Sequence, residues 1–413
     1  MRDLLEVCCG LDIHKEMIVA CLLKGGLDTE PDATVREYST LISGLEQLKN
    51  WIVESDCKHI AMESTGVYWF PIYNVLESAF EGVGDVQIIV TNPRHMKNVP
   101  GKKTDIKDAR WIAGLLRAGL LESSYIPPRK IRELRDWTRY RKTIVQEMTG
   151  HKNRIEKFLQ QCGFKLSSVL SDIFGASGMA LVRHLSQTGS ISAEEAKMLL
   201  KGTAKSKSEA ILQAINGKLS PHEQSFLSML LEIYDHSLCE IAKIEAQIDH
   251  CAEKFDSAVS LLETIPGVQR IGAITVISEI GTDVSMFPSA GNLCSWAGMC
   301  PVDNESAGKR KSTRLAQGNI HLKNVLCQTA WAVTRCKNTY LREWFWRLQS
   351  RRGMKKAVIA LGRKLLVIIW NMLLTGEIYN EARYTETKLR IEEHQKQRLA
   401  TQAKRLGLMV VPA

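Results

Sequence analysis

Along the first 125 residues the apolar positions change period several times, as in a chain that alternates strands with helices. Residues 7–23 are nearly continuous in apolar side chains and read as strand, with a turn near His14 to Glu16. Residues 34–39 form another short strand pattern. Leu41, Leu45, Leu48 and Ile52 recur at helical spacing and predict a helix over residues 41–53. Residues 58–62 read as a strand ending at Glu63, and residues 67–80 as a helix. Residues 85–90 read as a strand closed by the Asn92-Pro93 breaker. Thr104 is then placed to cap a helix over residues 105–121. The predicted order is three strands, then helix, strand, helix, strand, helix. That order predicts an α/β domain on a mixed sheet, with Pro127-Pro128 marking its end.

The middle of the chain has a helical period. Ile131, Leu134, Thr138, Arg141, Val145, Met148, Lys152, Ile155 and Leu159 step by three and four, which suits a long amphipathic helix or a coiled-coil arm. A second stripe runs through Leu230, Tyr234, Leu238, Ile241, Ile248, Cys251 and Phe255. Short helices with Gly and Ser joints lie between the stripes. Two long helices flanking a small insert predict an antiparallel arm, with ordinary packing inside one domain as the competing reading. From Leu261 the chain is helical, Gly-punctuated and basic, and from Thr385 it reads as a helix that frays. The expected divisions are 1–125, an α/β domain; 126–260, a helical arm; 261–384, a mainly helical basic domain; and 385–413, a tail.

Composition narrows the class. Hydrophobic residues are 45% and charged residues 24%, which suits a globular chain and excludes disorder, collagen or a disulfide scaffold as the main architecture. The run from Leu365 to Leu374 is broken by Asn371 and is about half of what a bilayer requires. The first ten residues lack the basic start and apolar core of a signal peptide. The expectation is a soluble cytoplasmic protein with no membrane partner. Eleven cysteines, an odd number without a C-x-x-C pair, read as reduced thiols rather than bridges or a zinc site.

Charge placement says more than the net +10. No acid occurs from Ala307 to Asn338 or from Trp344 to Gly376, yet each run holds seven cations. Such runs suit a phosphate backbone, as well as an ordinary solvated helix face.

Three constellations could carry chemistry. Asp12 sits within an apolar strand, Glu63 ends another, and Asp105 and Asp108 stand three apart at a helix start, on one helix face. A carboxylate in an apolar strand is costly unless paired or metal-bound. Four converging carboxylates suit hard divalent cations, and two such ions can hold both oxygens of a phosphoryl displacement. Asp105 and Asp108 could instead serve the helix N-terminus. The second constellation is the segment Ile-Pro-Gly267-Val-Gln-Arg270-Ile-Gly272. It is similar to a helix-hairpin-helix turn that offers backbone N–H groups to phosphate, or to a plain helical corner. The third is Ser306 in a polar loop, followed by Lys309, Arg310 and Arg314. Cations there could stabilise a phosphoryl transition state. Ser312 and Thr313 are equally eligible hydroxyls, Ser306 could be a turn residue, and His321 is the nearby histidine.

GLDIHK, MESTGVYW, TNPRHMKNVPGKKTDIKDARWIAGLL, LETIPGVQRIGAITVISEIG and WAGMCPVDNESAGKRKSTRLAQGN follow in that order. The chain resembles the IS-one-ten family of insertion-sequence transposases over nearly its full length. The resemblance implies an RNase H-like (RuvC-like) first domain with Asp12, Glu63, Asp105 and Asp108 as catalytic ligands of two Mg²⁺ or Mn²⁺ ions. It implies that Ser306 is a nucleophile forming a phosphoserine link to DNA, in a composite site with the acids. It implies double-stranded DNA partners (element ends and target), a structured noncoding guide RNA and a circular intermediate. A homo-oligomer is also implied, a dimer or, in the synaptic complex, a tetramer. The chain would act in a prokaryotic cytoplasm, at the nucleoid. Lys102, Lys103, Gly267, Arg270, Lys309, Arg310, Arg314, Arg351, Arg352, Lys355 and Lys356 are the expected nucleic-acid contacts. A RuvC-like hydrolytic Holliday-junction nuclease is the alternative. It would need the acids and water but no serine adduct. An actin-like ATPase fits poorly, because Ile13 and His14 rather than a glycine follow Asp12.

Overall fold

The computed structural model describes residues 3–64, 66–92, 105–301, 305–306, 309–310 and 314–405. The chain divides into two compact units, Met1–Ile126 and Pro127–Ala413.

The first unit is a five-stranded mixed sheet with helices on both faces. Its strands are β1 (Val7–Ile13), β2 (Met17–Lys24), β3 (Asp32–Ser39), β4 (His59–Glu63) and β5 (Gln87–Thr91), in the order β3-β2-β1-β4-β5. The first three are antiparallel neighbours, while β4 and β5 run parallel to β1. β1 and β2 are buried on both faces, which is why their apolar residues run on instead of alternating. β3 lies at an edge and is mostly exposed and polar, which discourages pairing with another chain.

Helices α1 (Ile42–Glu54) and α2 (Trp69–Ala79) cover one face. Leu45, Leu48, Trp51, Ile72 and Leu76 pack there against Cys9, Leu11, Ile60 and Met62. Helix α3 (Asp105–Arg117) covers the other face, with Ala109, Ile112, Ala113 and Leu116 against Cys8, Val19, Cys21, Ala61 and Ile89. Burial pushes the thiols of Cys8 and Cys57 up to about 12, so both are inert packing groups. All eleven cysteines are free thiols.

Helix α3 stops four residues short of the predicted end. Gly119 adopts φ +67°, and Arg117 is drawn inward. Its guanidinium is almost fully buried, with Nε donating to Asp3 at 2.6 Å and an Nη to the Gly26 carbonyl at 2.7 Å.

The second unit is mainly helical. α4 (Arg129–Gln161) is followed by α5 (Ala176–Thr188), α6 (Ala193–Leu199), α7 (Ser208–Ala214) and α8 (Pro221–Ala252). Ile155 and Leu159 near the end of α4 share a core with Leu227 and Leu231 near the start of α8. Arg141, nearer the start of α4, donates to Glu245, near the end of α8, at 2.5 Å. The two long helices are therefore antiparallel, and the short helices close the core at one end of the pair.

After α8 come α9 (Asp256–Glu263), α10 (Arg270–Ile280) and α11 (Ala290–Trp296). The strand pair β6 (Glu305–Ser306) and β7 (Lys309–Arg310) follows. Then come α12 (Ile320–Val333), α13 (Tyr340–Arg352), α14 (Met354–Thr375) and α15 (Thr385–Arg405). α9 is continuous through residues 260 and 261. α14 is long and apolar enough to cross a membrane by composition, yet it buries Leu361, Leu365, Leu366 and Ile369 within the protein. It is a core helix here, packed against α11, α12 and α13.

Candidate active site and nucleic-acid interface

Asp12 and Glu63 end up on one face of the sheet, and the backbone explains why. The last pair between β1 and β4 is Leu11 with Met62, so Asp12 and Glu63 each stand one residue further on. Leu11 and Met62 point into the α1–α2 face. By alternation, Asp12 and Glu63 take the opposite face, the one α3 covers.

The direction of α3 follows from three contacts. At its C-terminus the Arg117 carbonyl accepts from the Leu4 N–H at 2.8 Å. In its middle the Ala113 carbonyl receives the Cys8 thiol at 3.4 Å. One turn earlier Ala109 lies against Gly10, where a Cβ would sit 2.4 Å from the Ala109 carbonyl oxygen. Helix and strand thus run in opposite senses. The turn before Ala109, which carries Asp105 and Asp108, lies at the Asp12 end of β1. Gly10 is what allows this close approach.

Asp12 is mostly buried, and the His14 imidazole reaches it at 3.3 Å. Glu63 and Asp108 are half-buried, and the Asp105 side chain lies outside the described residues. Among the described residues no three His, Cys, Asp or Glu side chains group closely enough to hold a metal ion. The donor set that the backbone gathers is nonetheless all carboxylate oxygen, which fits a hard divalent cation.

The serine segment is a short hairpin in the second unit. Ser306 pairs with Lys309 and Glu305 with Arg310. Pro301 bridges Leu315 below it, and the Ala316 N–H donates to the Cys300 carbonyl at 3.0 Å. Gly298, at φ +67°, and Gly318 pack backbone to backbone beneath. Ser312 and Thr313 lie outside the described residues, as do the side chains of Ser306, Lys309 and Arg310.

The hairpin leads into α12 through Asn319. The Asn319 Oδ1 accepts from the N–H groups of His321 and Leu322, capping the helix. Its Nδ2 donates to Glu279 Oε2 at 2.6 Å. Glu279 is fully buried on α10 and takes both Nε and an Nη of Arg139 at 2.8 Å each. Arg135 donates to the Glu279 backbone carbonyl at 2.7 Å. Burial alone would raise the Glu279 pKa. The Arg139 hydrogen bonds, the charges of Arg135 and Arg139 and the Asn319 amide outweigh it and hold the carboxyl below its ordinary value. His321 is shifted down by burial and by the nearby Arg139, Lys142 and Arg135, so its imidazole is mainly neutral at pH 7.

Sequence reading did not single out this network. The signal was a lone carboxylate in the apolar helix Ile-Thr-Val-Ile-Ser-Glu279-Ile, the same signal that marked Asp12.

The expected nucleic-acid contacts divide by environment. Arg351, Arg352, Lys355 and Lys356 are exposed around the α13–α14 corner, where Gly353 adopts φ +80°. Arg314 is also exposed, and Lys102 and Lys103 lie outside the described residues. Arg270 is engaged within the chain by Asp256 at 2.8 Å and Asp249 at 3.3 Å. Gly267, at φ +85°, backs onto α12, where a Cβ would meet the Val333 nitrogen at 2.7 Å. Its place in the α9–α10 turn is explained by that packing. Lys364, from the same basic run, stands over the rings of Tyr340, Trp344 and Tyr384 at 5.0–5.7 Å.

Two segments match transposase family models. Residues 9–164 match the model described as a transposase of the IS110 DEDD type. Residues 259–345 match the one described as Transposase IS116/IS110/IS902 family. Together they cover more than half of the chain, which belongs to the IS110 family of transposases, enzymes acting on DNA.

Relatives agree. The chain is 25% identical over 308 residues to the transposase for insertion sequence element IS1111A of Coxiella burnetii, covering 73% of this chain and 74% of that protein. It is 28% identical over 181 residues to y4pF/y4sB of Sinorhizobium fredii, a protein with transposase in its name, covering 42% and 46%. It is 27% identical over 158 residues to the pilin gene-inverting protein of Moraxella bovis, covering 38% and 49%. The chain thus spans about half the length of the latter two.

Proposed function

We propose that the protein is a DNA transposase that excises and inserts an insertion sequence through a serine–DNA intermediate. The observation that carries the reading is the convergence on one sheet face of Asp12 and Glu63 with the end of α3 that bears Asp105 and Asp108. The sheet order, three antiparallel strands followed by two parallel ones, supports an RNase H-like first domain. The antiparallel pair α4 and α8, with its terminal core, supports a coiled-coil arm between the acid-bearing and serine-bearing domains. The relative named for pilin-gene inversion supports strand exchange over simple hydrolysis.

In this reading Asp12, Glu63, Asp105 and Asp108 would hold two Mg²⁺ or Mn²⁺ ions, which would supply Lewis-acid stabilisation of charge on the phosphoryl oxygens. Ser306 Oγ forms a bond to phosphorus, and one P–O bond of the DNA strand breaks. The departing oxygen takes up a proton. A hydroxyl of the incoming strand later attacks the same phosphorus and regenerates the serine. Lys309, paired with Ser306 across the hairpin, and Arg310 offset charge on the phosphate. Arg314 and the cations at the α13–α14 corner hold backbone phosphates of DNA and of a structured guide RNA, which reads the sequence by base pairing. A homo-oligomer brings the acids of one subunit to the serine of another.

Recombination in cells between element ends and target, with the native flanking DNA present, tests the reading. Asp12→Ala and Ser306→Ala are each expected to abolish it. Undiminished exchange by folded Ser306→Ala would refute the nucleophile. Cleavage without exchange would favour the hydrolytic junction nuclease.

A further inference from the structure

The second unit holds a cavity of about 120 Å³ bounded by α4, α10 and α12. Arg139, Arg141, Lys142 and His321 line it against one carboxylate, Glu279. That carboxylate is already committed, with both oxygens taken by Arg139 and one also by Asn319. Arg141 is held by Glu245. Lys142 is half-buried and makes no ion pair among the described residues. Arg139 uses only Nε and one Nη on Glu279, which leaves its other Nη available.

The cavity wall thus carries an uncommitted ammonium and part of a guanidinium against a carboxylate that is already neutralised. A cation would be repelled by this lining, and an apolar group would leave both cationic groups unsatisfied. An oxyanion satisfies them together. The space equals roughly four waters at about 30 Å³ each, enough for a tetrahedral phosphate.

We propose that this cavity is a subsite for one backbone phosphodiester of a bound nucleic acid, held by Lys142 and Arg139. The proposal rests on the reading of the chain as a nucleic-acid enzyme. It adds a contact on the helical arm itself, one that the basic runs further along the chain did not indicate. Asn319, which donates to Glu279 in the cavity wall, also caps α12.

The test uses the purified full-length protein, with Lys142→Gln and the charge-preserving Lys142→Arg. Three probes are titrated at matched ionic strength: inorganic phosphate, a duplex DNA and an RNA hairpin. Wild type should show a phosphate-dependent rise in Tm that Lys142→Gln loses and Lys142→Arg keeps. The dependence of log K on log salt should fall by about one for Lys142→Gln with whichever nucleic acid occupies the cavity. A change with duplex but not hairpin assigns the phosphate to DNA, and the converse assigns it to RNA. If wild type binds nucleic acid and the slope is unchanged in folded Lys142→Gln with both, the subsite is wrong and the transposase reading stands. If wild type binds neither nucleic acid, that reading fails and the phosphodiester assignment with it.

Discussion

Asp12 and Glu63 stand one residue beyond the Leu11–Met62 pair on adjacent parallel strands, so both carboxylates leave the same face of the sheet. Two carboxylates held this way repel each other unless a cation or proton lies between them. Asp12→Asn and Glu63→Gln preserve shape and remove that charge. Each should leave the thermal midpoint unchanged or raised. Each should slow strand cleavage by at least about 10²-fold, because several kcal/mol of Lewis-acid stabilisation is lost. Excess EDTA should reproduce the loss in wild type, and added Mg²⁺ should restore it.

Gly10 lets α3 lie directly on β1, which puts the α3 end that carries Asp105 and Asp108 at the Asp12 end of the strand. A methyl group there would meet the backbone of Ala109 and Ala113 at 2.4 Å, which no rotamer change relieves. Gly10→Ala should destabilise the first unit by about 1–3 kcal/mol. It should also impair cleavage more than that loss explains, because α3 carries Asp105 and Asp108. Urea unfolding set beside a cleavage assay in the folded range checks both.

Glu279 anchors the helical unit through Arg135, Arg139 and Asn319. Glu279→Ala leaves two guanidinium groups without their carboxylate and should cost about 3–5 kcal/mol. The pH dependence follows from the depressed carboxyl pKa. Its contribution is fully present above the unfolded value of 4.5 and is lost as pH falls through the folded value. Thermal midpoints of wild type and Glu279→Gln should therefore converge in acid and separate above pH 4.5.

Gly267 occupies φ +85° with α12 directly behind it. Gly267→Ala should destabilise the second unit through both strain and overlap. Arg270→Ala, which removes a group facing Asp249 and Asp256, should change the salt dependence of DNA binding less than Arg351→Ala does. Fluorescence anisotropy across a salt series measures the comparison.

Much of the first unit was legible because strand period, turn residues and breakers agree there. The turn after Ile13, the helix from Ile42 and the strand ending at Glu63 all follow from local chemistry. The end of α3 was not legible, since it depends on Arg117 turning inward to partners about a hundred residues away in sequence. The second long helix was legible as a stripe of apolar positions rather than by its bounds. It begins at Pro221, where Ser220 and Glu223 form a capping box that the sequence displays. Its buried face runs through Leu227, Leu231, Tyr234, Ile241, Ile244 and Ile248, while Leu238 is exposed. Two apolar stripes were available, and tertiary packing chose between them. The acids were legible as charges in apolar strands. The Glu279 network joins α4, α10 and Asn319, and no local pattern reports such a meeting.

The most direct measurement is a search for a covalent protein–DNA adduct. The gene is expressed with its native flanking DNA beside a plasmid carrying the joined element ends. Denatured protein is then resolved with and without nuclease, for wild type and Ser306→Ala. The account predicts a nuclease-sensitive adduct in wild type that is absent from Ser306→Ala. Nicked DNA with no adduct in wild type would contradict it and leave the acids acting with water alone.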